Sequence, residues 1–138
     1  MSSKDFLAKC IEQKCLFRIK QMYLLRDGLL RDGETRIPSE KAYRRTLEID
    51  EDEDFEIDNF INKRVKLYKL PIMICKSIIN NNINQEINKV IIERFNEELF
   101  DLMDTTRTLA EKDILNEREY LSLCNQYKTD RELVNLLN

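Results

Sequence analysis

Very little in this sequence can break a helix. Its 138 residues include two glycines and two prolines. Gly28 and Gly33 fall in one short stretch, and the prolines stand at Pro38 and Pro71. A β-rich chain of this length needs many tight turns, which draw on Gly, Asn or Asp at special backbone angles. Scarce breakers favour a few long helices instead. Frequent isoleucine argues weakly for strands, because β-branching suits a pleated surface. Spacing decides against strands. Ile87, Val90, Ile91, Phe95, Leu99, Leu102, Met103 and Leu109 recur at helical intervals along one stripe. The predicted fold is all-α, a multi-helix bundle of about six helices with an acidic connecting segment.

The helices follow from periodicity and caps. The first is expected from about Asp5 to Arg26, with Ser2 or Ser3 as cap. Arg26-Asp27-Gly28 and Arg31-Asp32-Gly33 repeat a turn signal, since Asp-Gly reaches positive φ easily. Pro38-Ser39-Glu40 then opens a helix to about Leu47, so residues 1–47 read as a helical hairpin. Residues 48–58 hold Glu48, Asp50, Glu51, Asp52, Glu53, Asp54, Glu56 and Asp58. Such a run repels itself and reads as an exposed, mobile linker, with an acidic docking segment for a basic partner as the alternative.

Residues 59–138 form the expected C-terminal bundle, either separate from the hairpin or continuous with it. A helix from Asn59 to Leu70 should end at Pro71, with a short apolar helix from Ile72 to Ile79 and a turn at Asn80-Asn81-Asn82. The longest helix spans about Gln85 to Leu109. Asn116-x-x-Glu119 and Thr129-x-x-Glu132 fit the capping box and predict helices at 117–127 and 130–137.

Function is narrowed mostly by exclusion. The chain has no histidine, which removes Ser-His and Cys-His catalysis and histidine metal sites. Two glycines cannot build a phosphate loop or a dinucleotide fingerprint. Asp50, Asp52 and Asp54 fit the first ligand spacings of an EF-hand, but Phe55 replaces its glycine and Ile61 its bidentate glutamate. Cys10, Cys15, Cys75 and Cys124 sit in apolar helical patterns and read as reduced core thiols. Cys10 and Cys15 would point well apart on a helix, a poor geometry for one metal. No catalytic residue, cofactor or metal site is expected, and the protein is not expected to be an enzyme.

The longest apolar run, Leu70 to Cys75, is far too short to span a bilayer. The N-terminus lacks a basic region leading into an apolar stretch, so no signal peptide is expected. An intracellular location, cytoplasmic or nuclear, follows from the thiol reading. The net charge of −3 supplies no global field toward nucleic acid or anionic membrane.

Two surfaces stand out as partner sites. Ile72, Met73, Ile74, Ile78 and Ile79 make a segment apolar nearly all round, which is either central to the core or covered by a partner. Arg44, Arg45, Lys63, Arg64, Lys66 and Lys69 could contact phosphates or an acidic partner, although a solvated helix face is the preferred reading.

Two family resemblances touch the same region. Phe95 through Asp104, Asp113 through Tyr120, and Thr129 through Leu137 resemble the middle and late helices of a caspase-recruitment domain, which would imply a death-fold adaptor. The spacing from Met103 to Ile114 is longer than that family's pattern, and its final helix has no counterpart. Lys69-Leu70-Pro71-Ile72, Arg94-Phe95 and Asp101 through Thr105 resemble helical domains of GINS replication-complex subunits. That likeness would imply a nucleic-acid-associated subunit, and the family's small β-domain has no counterpart. Neither is adopted. The expected function is a non-enzymatic protein–protein interaction module, a subunit or adaptor of a larger complex. Its partner is a protein, self-association being one form of this. A nucleic-acid-associated helical subunit of a replication or transcription complex is the alternative.

Overall fold

A computed structural model describes the backbone of residues 3–30 and 51–138 and the side chains of residues 3–22 and 58–138. Among the described residues there are four α-helices and no strand. They are α1 (Ser3–Leu30), α2 (Glu51–Ile79), α3 (Gln85–Glu111) and α4 (Glu117–Asn135). The all-α bundle agrees with the sequence reading. The expected count of about six does not, because several anticipated breaks are absent.

Four segments differ from the reading. α1 continues past Arg26 to Leu30, through Gly28. A single glycine inside a helix costs only about 1 kcal/mol relative to alanine. Residues 51–58 of the acidic run form the first turns of α2. Carboxylates are favoured there because the helix dipole leaves the N-terminus positive. α2 also runs straight through Pro71 to Ile79. Pro71 removes one backbone donor, but it is buried between flanking core residues, and tertiary packing outweighs the local loss. α4 is one helix past Thr129, so the second capping box is unused. Residues 31–50, including the helix expected after Pro38, lie outside the described residues.

Other signals hold. Asn116 Oδ1 accepts from the Glu119 amide and Glu119 Oε1 accepts from the Asn116 amide, completing the first capping box. The three-asparagine turn closes α2. Asn81 adopts φ 53°, and the Asn82 amide donates to the Ser77 carbonyl at 2.8 Å. α3 ends the same way, with Asp113 at φ 60° and the Ile114 amide donating to the Leu109 carbonyl at 3.0 Å. Asp tolerates the left-handed region better than alanine does, because its side chain bonds locally. Asp113→Ala is therefore expected to melt lower than Asp113→Gly, by about 1 kcal/mol in urea denaturation.

The helices run alternately up and down. Cys15 lies near Cys75, and Arg18 and Tyr68 meet on Asp130, so α1 and α2 are antiparallel. Lys63 bonds Thr105 and Tyr68 packs on Phe95, which makes α2 and α3 antiparallel. Asn96 pairs with Asn135 and Thr106 with Tyr127, which does the same for α3 and α4. Packing is extensive between successive helices and slighter between α1 and α4. α2 is buried on both flanks. Phe60, Leu67, Tyr68, Ile74, Cys75 and Ile78 join Phe95, Leu99, Leu102 and Leu109 of α3 in one core.

Candidate functional site: a buried polar centre beneath the α1–α4 groove

Three charged side chains enter this core. Arg18 of α1 meets Asp130 of α4 through Nε to Oδ2 at 2.9 Å and Nη2 to Oδ1 at 3.4 Å. Arg18 Nη1 donates to Gln21 at 3.0 Å. The pair is shielded, with side-chain exposures of 10% and 3%, so it escapes the screening that weakens surface pairs. Tyr68 of α2 donates its hydroxyl to Asp130 Oδ2 at 2.6 Å. Burial, together with the Asp130 carboxylate, pushes the Tyr68 phenol above its ordinary range, against the pull of Arg64. It therefore stays a donor.

Arg64 is different. It has no exposed surface, and its guanidinium lies 5.9, 5.6 and 5.2 Å from the ring centres of Phe60, Tyr68 and Tyr127. Nη2 reaches Gln126 Oε1 at a long 3.5 Å. Nε and Nη1 have no hydrogen-bond partner. Thr106 bridges the Leu102 carbonyl and the Tyr127 hydroxyl, fixing the third ring. Arg18 and Arg64 together carry two positive charges, and Asp130 supplies one negative charge. Among the described residues, the centre thus holds one positive charge more than its carboxylate neutralises. Aromatic faces attract a cation by about 0.5–2 kcal/mol, while desolvating an ion costs several kcal/mol. The cage reduces that cost without cancelling it.

A groove of about 1070 Å³ opens above this centre along the α1–α4 seam. Lys14 and Arg18 line it from α1. From the start of α4 come Asn116, Glu117 and Arg118, and further along come Leu121, Gln126 and Thr129. The α4 wall from Asn116 to Thr129 is about 20 Å long at the helical rise. Gln126 belongs both to the groove lining and to the Arg64 contact. Leu121 is 52% exposed, and Phe17, one turn from Lys14, is 55% exposed.

The residues singled out from sequence are dispersed. Ile72, Ile74 and Ile78 are buried in the chain's own core, Ile79 is half-buried, and Met73 alone of the five is exposed. The first of the two alternatives for that segment, a place in the core, accounts for Ile72, Ile74 and Ile78. Arg64 is fully buried in the core and not on an exposed face of α2. Lys63 is held by Thr105 at 3.1 Å and Asp101 at 3.1 Å. Lys66 and Lys69 are exposed. Arg44 and Arg45 lie outside the described residues. Ile87, Val90 and Met103, assigned to the buried stripe of α3, are exposed.

Nor do the cysteines form a uniform set. Cys15 and Cys75 are buried, Cys124 is half-buried and Cys10 is exposed. Burial pushes the Cys15 and Cys75 thiols up to about 12. At pH 8 their thiolate fraction falls about a thousandfold below that of an ordinary thiol. Iodoacetamide is therefore expected to modify Cys10 and to spare Cys15 and Cys75 until the protein unfolds, as peptide mass mapping would show. Among the described residues, no three side chains of the metal-ligating type come together, and no helix is long and apolar enough to cross a membrane.

Comparison with protein-family models, curated proteins and solved structures finds no match for this chain.

Proposed function

We propose that the protein is a non-enzymatic helical interaction module, a subunit or adaptor of a larger complex, and that it engages its partner through the α1–α4 groove. The observation that carries this reading is the groove itself. It is an open depression about a helix length along α4, lined mostly by polar side chains with exposed Leu121 among them. Amphipathic helices dock into such grooves, anchored by apolar side chains at helical spacing. The buried thiols support a binding role over nucleophilic catalysis, because burial holds them protonated.

Photo-crosslinking tests the reading. A benzophenone amino acid in place of Leu121 or Ser122 should yield discrete polypeptide adducts in cells expressing the protein. The same group at Lys69, on the exposed side of α2, serves as the control. Adducts at Lys69 with none at Leu121 or Ser122 would contradict the groove assignment. Crosslinks to nucleic acid would favour the alternative subunit reading.

A further inference from the structure

We infer that the occupant of the α1–α4 groove is an acidic amphipathic helix of a protein partner, one of whose carboxylates takes up the unmet positive charge at Arg64. This rests on the reading of the groove as the partner surface, and it adds the chemistry of the guest. Three observations carry it.

The first is charge. Among the described lining residues, Lys14 and Arg118 stand against one carboxylate, Glu117, while Arg18 is already paired with Asp130. The second is the orphaned guanidinium. Arg64 is fully buried, and two of its nitrogens lack acceptors. Native interiors leave few such groups without a partner, and an ionised donor without one is among the costlier kinds. Carboxylate is the acceptor that guanidinium geometry suits best, pairing with Nη2 and one of the two orphaned nitrogens once Gln126 gives way. The third is access. Gln126 stands between Arg64 and the groove, and its 3.5 Å contact to Nη2 is long for a hydrogen bond. A rotation of Gln126 would open the guanidinium edge to the groove and give up little.

The α4 wall from Asn116 to Thr129 runs about 20 Å, the length of a helix of three to four turns. Leu121 offers apolar contact within it, so the guest needs an apolar residue beside its acidic one. A nucleic acid strand fits less well. It would require a run of exposed cations, whereas Glu117 sits among those present and Arg64 is reached only through Gln126.

The probe is a fluorescein-labelled synthetic helix of about 20 residues, Leu-anchored with Glu on its polar face, beside an otherwise identical peptide with Gln at each Glu. Fluorescence anisotropy at low salt measures both on the full chain. The Glu peptide is expected to bind at least about tenfold more tightly than the Gln peptide. The same loss is expected for the Glu peptide on the Lys14→Glu/Arg118→Glu variant and on Arg64→Met. Circular dichroism verifies that each variant is folded. Equal affinity for the two peptides, with both shifting the amide resonances of Leu121 and Gln126, would overturn the carboxylate inference and leave the groove reading standing. Failure of both peptides to shift those resonances would overturn both. Tighter binding of a labelled oligothymidylate than of the Glu peptide would overturn the acidic-helix assignment. Unchanged binding by Lys14→Glu/Arg118→Glu would do the same.

Discussion

Asp130→Asn is expected to lower the unfolding free energy by about 3–5 kcal/mol, the range for breaking a buried ion pair by removing one partner. The substitution keeps the shape of the side chain, removes its charge and turns one of its two acceptor oxygens into an NH2 donor. Arg18 then loses its counter-ion while remaining nearly enclosed, and Tyr68 loses a charged acceptor. Arg64 would then share a centre with no buried anion among the described residues. Because Asp130 joins α1, α2 and α4 at one carboxylate, the damage should spread beyond α4. Chemical denaturation followed by circular dichroism measures the change. A loss below about 1 kcal/mol would mean that the pair behaves like an exposed one.

Phe95→Ala should cost about as much by a different route. Phe95 is fully buried, and its ring meets Tyr68 edge to face at a centroid distance of 6.4 Å. Emptying a buried phenylalanine site costs about 3–5 kcal/mol, the spread reflecting how far the surroundings collapse into the cavity. Here collapse is limited, because Tyr68 is tied to Asp130 by its hydroxyl. The loss should therefore fall in the upper part of that range. Phe95→Leu, which refills most of the volume, should recover more than half of it. Equilibrium denaturation of the two variants side by side would show the difference.

Much of the fold was legible because periodicity and caps act locally. The buried series Phe95, Leu99, Leu102 and Leu109 and the Asn116–Glu119 box could be read directly. Pro71 misled because its local cost is real, but burial of that part of α2 outweighs it. The acids at 51–58 misled because repulsion was weighed without the helix dipole that welcomes them.

The polar centre was missed for another reason: charged residues were assigned to the surface by type. Their register told otherwise. Arg64 stands four residues from both Phe60 and Tyr68, on the apolar face of α2. Asp130 stands three residues after Tyr127 and four before Val134, on the buried face of α4. A charge in an apolar register is the signal that could have found them. Arg18 carries the same mark, between Cys15 and Met22. That these groups meet one another depends on the helix order, which no local pattern encodes. The groove is equally non-local, since its walls come from opposite ends of the chain.

Among the described residues Arg64 is a buried cation with no carboxylate on its guanidinium, and the proposed guest would explain why the fold keeps it at a cost to stability. Arg64→Met tests this most directly. Methionine follows the arginine side chain as far as Nε and suits an aromatic cage. Exchanging an uncompensated buried ion for an apolar residue of similar volume should stabilise the fold by about 1–3 kcal/mol. Urea denaturation should therefore show a higher midpoint with an unchanged slope. A loss of about 3 kcal/mol or more, comparable to that of Asp130→Asn, would contradict the claim and make Arg64 a structural partner of the core.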